Sequence, residues 1–329
     1  MLAYLMRRLL FGVVTVWIIS IISFAIIQLP PGDYITSYIA AQSASGNPLS
    51  QQEGEHLREI YGLNDSIFVQ YVKWLDRMSQ GNFGMSFEWR RPVDEVIGDR
   101  LTMTIVVSLA AIIFTWVVAL PIGIYSAVHQ YSAGDYIATF IGFIGLAVPN
   151  FLIALILMYL GWKLFDMDIG GLFSPEYRLA PWNTAKVWNL IQHLPLPALV
   201  LGLSGTAGLI RIMRANLLDE LRKPYVVTAR AKGLPQTRLI LKYPVRIALN
   251  PFVSTIGYLL PYIVSGSIIV SIVLDLPTVG PLLVKALIAQ DMYLAGTIIL
   301  LLGILTIVGT LISDLLLMWV DPRIRVEGR

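Results

Sequence analysis

The sequence predicts an all-α integral membrane protein with six membrane-crossing helices and both termini in the cytoplasm. Three observations carry that prediction. Of the 329 residues, 56% are apolar and only 14% are charged, against about 25% charged in an average soluble domain. The mean hydropathy is +0.71, more apolar surface than a soluble chain of this length can bury. Finally, the apolar residues fall in uncharged runs of about the 17–25 residues that a bilayer core demands.

The runs come in order. Leu9–Leu29 is the first, and residues 101–133 form a second that exceeds one span. Tyr136–Trp162 is the third, Leu194–Ile210 the fourth, Ile247–Leu274 the fifth and Met292–Ser313 the sixth. The first run follows Arg7-Arg8, as a secretory leader would, but a cleavable apolar region runs only about 7–15 residues and ends at small residues. This one is longer and ends in Gln28-Leu29-Pro30-Pro31-Gly32-Asp33, so it reads as a retained span.

Basic residues in short flanks mark the cytoplasmic side. Arg7 and Arg8 precede span one. Arg211, Arg214, Arg222, Lys223, Arg230, Lys232, Arg238, Lys242 and Arg246 lie between spans four and five. Arg323, Arg325 and Arg329 follow span six. With six spans these three segments share one side. Residues 30–100 hold ten acidic and six basic residues and fall outside. There, Leu49–Tyr61 and Ile67–Met78 show helical apolar spacing, with Phe68, Tyr71, Val72 and Leu75 on one stripe, before Gly81-Asn82-Phe83-Gly84 breaks the pattern. The organisation is therefore residues 1–30 as the N-terminal end and first span, 31–100 as an extracytoplasmic helical cap, and 101–329 as a five-helix core with a cytoplasmic loop at about 215–246.

Several chemistries are excluded. Cysteine is absent, and the three histidines, His56, His129 and His193, lie far apart, so no metal site and no catalytic cluster can be assembled from ligand spacing. No basic surface interleaved with stacking aromatics argues for nucleic acid. No G-x-x-x-x-G-K-[ST] phosphate loop occurs.

The cytoplasmic loop is the most informative stretch. Pro224 suits the first turn of a helix, Ala229 and Ala231 favour one, and Gly233 suits its left-handed end. A second helical piece covers Gln236–Lys242. A short basic helix with small side chains fits docking into a partner's groove; a merely solvated positive-inside loop is the alternative.

Thr228-Ala229-Arg230-Ala231-Lys232-Gly233-Leu234 resembles the cytoplasmic EAA loop of binding-protein-dependent ABC importer permeases, in the variant of the peptide/nickel group. Arg7-Arg8-Leu9, Pro31-Gly32-Asp33, Gly62-Leu63-Asn64 with Gln70-Tyr71, Gly81-Asn82-Phe83-Gly84-Met85-Ser86, Arg100-Leu101-Thr102-Met103-Thr104 and Asp321-Pro322-Arg323-Ile324-Arg325 extend the resemblance over nearly the whole chain. It is closest to B-type dipeptide and oligopeptide permeases. The sequence departs from the broader pattern at Val227-Thr228-Ala229, where Glu-Ala-Ala stands, and at Tyr243-Pro244-Val245-Arg246. Pro244 is expected to bend the helix returning to the membrane.

The resemblance implies a type I ABC importer permease fold in a bacterial inner membrane. It implies a second homologous permease subunit, two ATP-binding subunits and an extracytoplasmic solute-binding protein as partners. ATP and magnesium would be bound by those ATPases and no cofactor by this chain, which is then not itself an enzyme. Tyr225, Val226, Thr228, Ala229, Arg230, Ala231, Lys232, Gly233 and Leu234 would form the helix coupling to an ATPase cleft. Peptide is the favoured solute, with oligosaccharides or opine-like conjugates as the alternative.

Polar residues within spans add further candidates. Asp314 lies about 10 Å along a helix from Asp321, at 1.5 Å per residue. It reads either as half of a gating ion pair with Arg211 or Arg214, or as a carboxylate snorkelling to the interface or capping a neighbouring helix. Pro149-Asn150 and Pro261 place breaks at mid-membrane depth, where freed carbonyls can line a cavity. With Asn150 and Pro261, Ser204 and Thr206 on the small-residue face of span four are candidate pathway-lining residues; close helix packing is the competing reading. A stand-alone secondary carrier, the rival of another class, would show inverted repeats and a mid-membrane carboxylate. Neither stands out.

Overall fold

The computed structural model describes residues 2–28, 35–36, 39, 51–61, 64–165, 170–254 and 268–320. Helices run in the order α1 (Leu2–Gln28), α2 (Gln51–Tyr61), α3 (Ile67–Ser79), α4 (Val93–Val128), α5 (Ala133–Ala147), α6 (Asn150–Phe165), α7 (Thr184–His193), α8 (Pro195–Leu221), α9 (Pro224–Ala231), α10 (Gln236–Lys242), α11 (Pro244–Ser254), α12 (Ile268–Val273), α13 (Val279–Ile288) and α14 (Met292–Val320). No strand forms among the described residues, so the all-α membrane class holds.

Four stretches are long and apolar enough to cross a membrane: Met6–Ala25, Val93–Val128, Thr184–Leu221 and Met292–Leu317. They correspond to runs one, two, four and six. Run three forms two helices rather than one. Its halves, α5 and α6, meet at 104° because Pro149 has no N–H to continue the ladder. Of run five, the described parts are α11 and α12; Pro261 lies outside the described residues, as does the C-terminal Asp321–Arg325 motif.

The chain divides into two compact units. One comprises Leu5–Met103 and Thr278–Ile304. Its core gathers Phe24, Trp74, Phe87, Val93, Leu282, Leu294 and Ile298. The predicted stripe of α3 is corrected here. Tyr71, Trp74, Leu75 and Met78 face the core, whereas Phe68 and Val72 are exposed. Both sets keep the i, i+3, i+4, i+7 spacing. Trp74 decides between them, being the largest apolar side chain on the helix and packing against Phe24 at 6.0 Å between ring centroids. Gly84, at φ +81, lies where a Cβ would come within 2.9 Å of the Tyr293 ring, so the turn needs glycine twice over. Buried Asp291 accepts hydrogen bonds from Ser86 Oγ, Glu88 N and Leu294 N, tying that turn to the start of α14.

The other unit comprises Met1–Tyr4, Thr104–Pro277 and Leu305–Arg329. α8 is its axis: α5, α6, α7 and α11 pack on it. Small residues permit that closeness. A Cβ on Gly202 would lie 2.7 Å from Thr115 Oγ1, and the Thr115 hydroxyl donates to the Gly202 carbonyl at 3.1 Å.

Candidate coupling and translocation site

An eight-residue helix is marginal in water by itself, so α9 must be held by packing. Val226 is 0% exposed and enters a core with Met213 and Leu217 of α8, Leu239 and Ile240 of α10, and Val245 and Phe252 of α11. Each fully buried side chain of this kind contributes about 1.5–3 kcal/mol. Pro224 occupies the first turn, as its fixed φ allows. At the other end Gly233 takes φ +75. Its N–H donates to Arg230 O at 2.9 Å, and the Leu234 N–H donates to Ala229 O at 3.4 Å, the paired bonds of a left-handed helix stop.

Tyr225 is fixed differently. Its hydroxyl donates to Glu220 Oε2 at 2.6 Å. Burial, together with that carboxylate, raises the phenol above its ordinary pKa, so it stays a donor at any working pH. Thr228 Oγ1 donates to Pro224 O. The remaining surface of α9 and the turn after it is Val227, Thr228, Arg230, Ala231, Lys232 and Gly233, all exposed. Arg222, Lys223, Arg230, Lys232 and Arg238 form no ion pair among the described residues. The result is a rigidly seated helix presenting small side chains ringed by free cations. Pro244 then opens α11 after a break at Tyr243, so the expected bend is a full change of helix.

Within the spans, Asp135 of α5 takes Arg214 of α8 in a two-point grip, Arg214 Nε to Oδ1 at 2.9 Å and Nη2 to Oδ2 at 2.8 Å. Sequence reasoning passed over Asp135. The available signal was Ser132-x-x-Asp135, a helix-start pattern, and Ser132 Oγ does accept from Asp135 N. Arg211 lines a cavity of about 250 Å³ beside this pair, together with Tyr131, Tyr136 and Phe143. Asp314 lies half-buried on α14. Its neighbour Ser313 donates to Val253 O at 3.1 Å.

A second cavity, of about 260 Å³, opens at the α5–α6 break. Val148, Pro149, Asn150, Ser204 and Ile269 are among its lining residues, and Asn150 Nδ2 donates to Ser204 Oγ at 3.4 Å. The structure thus brings Asn150 and Ser204 together. Thr206 is buried, with its hydroxyl turned back onto the Gly202 carbonyl of its own helix, and is not among the lining residues. Among the described residues no group of acidic or histidine side chains could hold a metal ion.

Residues 119–326 match the family described as binding-protein-dependent transport system inner membrane component, and residues 1–110 match the N-terminal region of such membrane components. The chain is 37% identical to the oligopeptide transport system permease protein AppB of Bacillus subtilis, over 98% of this chain and 99% of that protein. It is 31% identical to the oligopeptide transport system permease protein OppB of Haemophilus influenzae, over 99% of this chain and 100% of that one. It is 30% identical to the glutathione transport system permease protein GsiC of Salmonella typhi, over the same shares.

Proposed function

The chain belongs to the family of binding-protein-dependent transport system inner membrane components, and from that membership we propose that it forms half of the path through an ATP-driven importer of di- or oligopeptides. A second, homologous permease supplies the other half. Two ATP-binding subunits dock on the cytoplasmic side and hold the ATP and magnesium, and an extracytoplasmic binding protein delivers the solute, with the 31–100 segment helping to receive it. This chain carries no hydrolytic chemistry of its own.

The observation that carries the reading is the seating of α9. Its exposed rim of Arg222, Lys223, Arg230 and Lys232 suits an acidic-edged groove, while Val226 on the opposite face is locked into α8, α10 and α11. Packed side chains transmit displacement because the interior is as dense as a crystal. Closure of the ATPases on α9 would thus push α8, and Arg214 would carry the push to Asp135 and α5. Energy spent outside the chain becomes a shift between two arrangements of the spans.

Orientation fits as well. Asp135 lies in the first turn of α5 and Arg214 near the end of α8, so their ion pair puts the start of one helix beside the end of the other. Both ends then fall on the side of α9, which supports six spans with cytoplasmic termini. At the α5–α6 break, Asn150 and Ser204 offer neutral donors and acceptors, suited to the amides of a peptide that passes without being held tightly. AppB and OppB are named for oligopeptides, which points the same way.

The test is purification of tagged chain from its native membranes in mild detergent, with partners identified and ATP hydrolysis assayed. Recovery of a second permease with ATP-binding subunits, and hydrolysis stimulated by peptide-loaded binding protein, is the expected result. Recovery of the chain alone, with solute uptake into vesicles that needs no ATP, would replace the importer with a carrier.

A further inference from the structure

α7 is amphipathic, but its polarity is reversed. Lys186, Asn189 and Leu190 are buried, while Val187, Trp188 and Ile191 are exposed, Trp188 by 62%. These three stand at i, i+1 and i+4 on one outward face. Leu179, 100% exposed, and Trp182 extend the apolar surface into the preceding loop.

The inward polar groups are all satisfied, so the arrangement is stable rather than accidental. Lys186 Nζ donates to Ala180 O at 2.6 Å and lies over the rings of Phe173 and Trp182, at 5.1 and 5.0 Å from their centroids. Asn189 accepts from Ser174 N at 3.0 Å and donates to Ser174 Oγ at 2.9 Å. His193 Nδ1 lies 2.7 Å from the Asn189 carbonyl. Among the described residues, Val187, Trp188 and Ile191 have no such anchors. Left in water, each forgoes about 1.5–3 kcal/mol of burial.

We propose that α7 carries span four outward, with Trp182, Val187, Trp188 and Ile191 facing lipid at the headgroup–acyl boundary of the leaflet at which α8 begins, the extracytoplasmic one. Chain continuity puts it there: Leu194 N–H donates to Leu190 O and Ala198 N–H to Leu194 O, so α7 runs on into α8 as one 38-residue helix, Thr184–Leu221, which contains a stretch apolar enough to cross a membrane. Tryptophans gather at that depth because the ring is apolar and its N–H is not. Lipid fits the face better than a second permease does. Helix pairs in membranes meet through small residues, as Gly202 does on α8, whereas this face is bulky. No charged residue points outward from it to pair with a binding protein.

The assembled importer, reconstituted in nanodiscs, supplies the test. The chain has no cysteine, so Trp188→Cys and, separately, Ile191→Cys each give a single attachment point for a nitroxide; both side chains are exposed, so neither variant removes a buried contact. Relaxation by oxygen that exceeds relaxation by an aqueous nickel chelate is expected at both positions, with the reverse at Gln236→Cys on α10. Dominance of the nickel chelate at 188 and 191 would mean that the face is in water and would overturn the proposal. Inaccessibility to both relaxants would mean that protein covers it, and would overturn it equally.

Discussion

α7 and α9 are short helices of the same unit, ten and eight residues long, and they are turned inside out relative to each other. α9 buries Val226 and shows cations; α7 buries Lys186 and shows Trp188. Neither arrangement follows from helix propensity, which is indifferent to what lies outside. Each follows from the medium on its free side, water or a polar partner groove for α9, an apolar boundary for α7. The comparison makes a short helix a reporter of its surroundings, and it ties the inner and outer ends of α8 to different environments.

The sharpest way to break the contrast is to give α9 the wrong inner face. Val226→Asp places an unpaired charge in the α8–α11 core and should cost more than about 4 kcal/mol, the range reserved for such lesions. Limited proteolysis should then cut near residue 232, and coupled ATP hydrolysis should be lost. Arg214→Ala comes next, at about 3–5 kcal/mol, because it leaves the buried Asp135 carboxylate without its counter-ion, although the Tyr131 N–H still donates to it. The double variant Asp135→Asn with Arg214→Gln should lose less than the two single changes summed, in thermal melts of the reconstituted complex. Lys186→Met on α7 removes a charged hydrogen bond worth about 1.5–3 kcal/mol and should lower the melting temperature without altering ATP coupling. Gly233→Ala is the mildest. An L-residue at φ +75 costs about 1–2 kcal/mol, seen as weaker docking of the ATP-binding subunit.

The same contrast explains what was legible in the sequence. α9 was readable because its signals are contiguous: Pro224 to open it, Gly233 to close it and cations between. Runs one, two, four and six are legible for the same reason, as is the break at Pro149. α7 is not, since the apolar pattern of the fourth run begins only at Leu194, although Asn183, whose side chain accepts from Lys186 N, marks a helix start. The Asp135–Arg214 pair joins residues 79 apart, beyond the reach of any local pattern. On α3, two overlapping stripes satisfied the same spacing, and only the packing of Trp74 on Phe24 separates them.

Site-specific cross-linking tests the central claim most directly, that α9 is the contact through which ATP acts on this chain. A photoreactive maleimide on Arg230→Cys, in the assembled importer in nanodiscs, should capture the ATP-binding subunit in a yield that changes when ATP is added. The same reagent on Trp188→Cys should yield lipid adducts alone. Capture of the ATP-binding subunit from position 188, or its absence from position 230 in a complex that still hydrolyses ATP, would contradict the account.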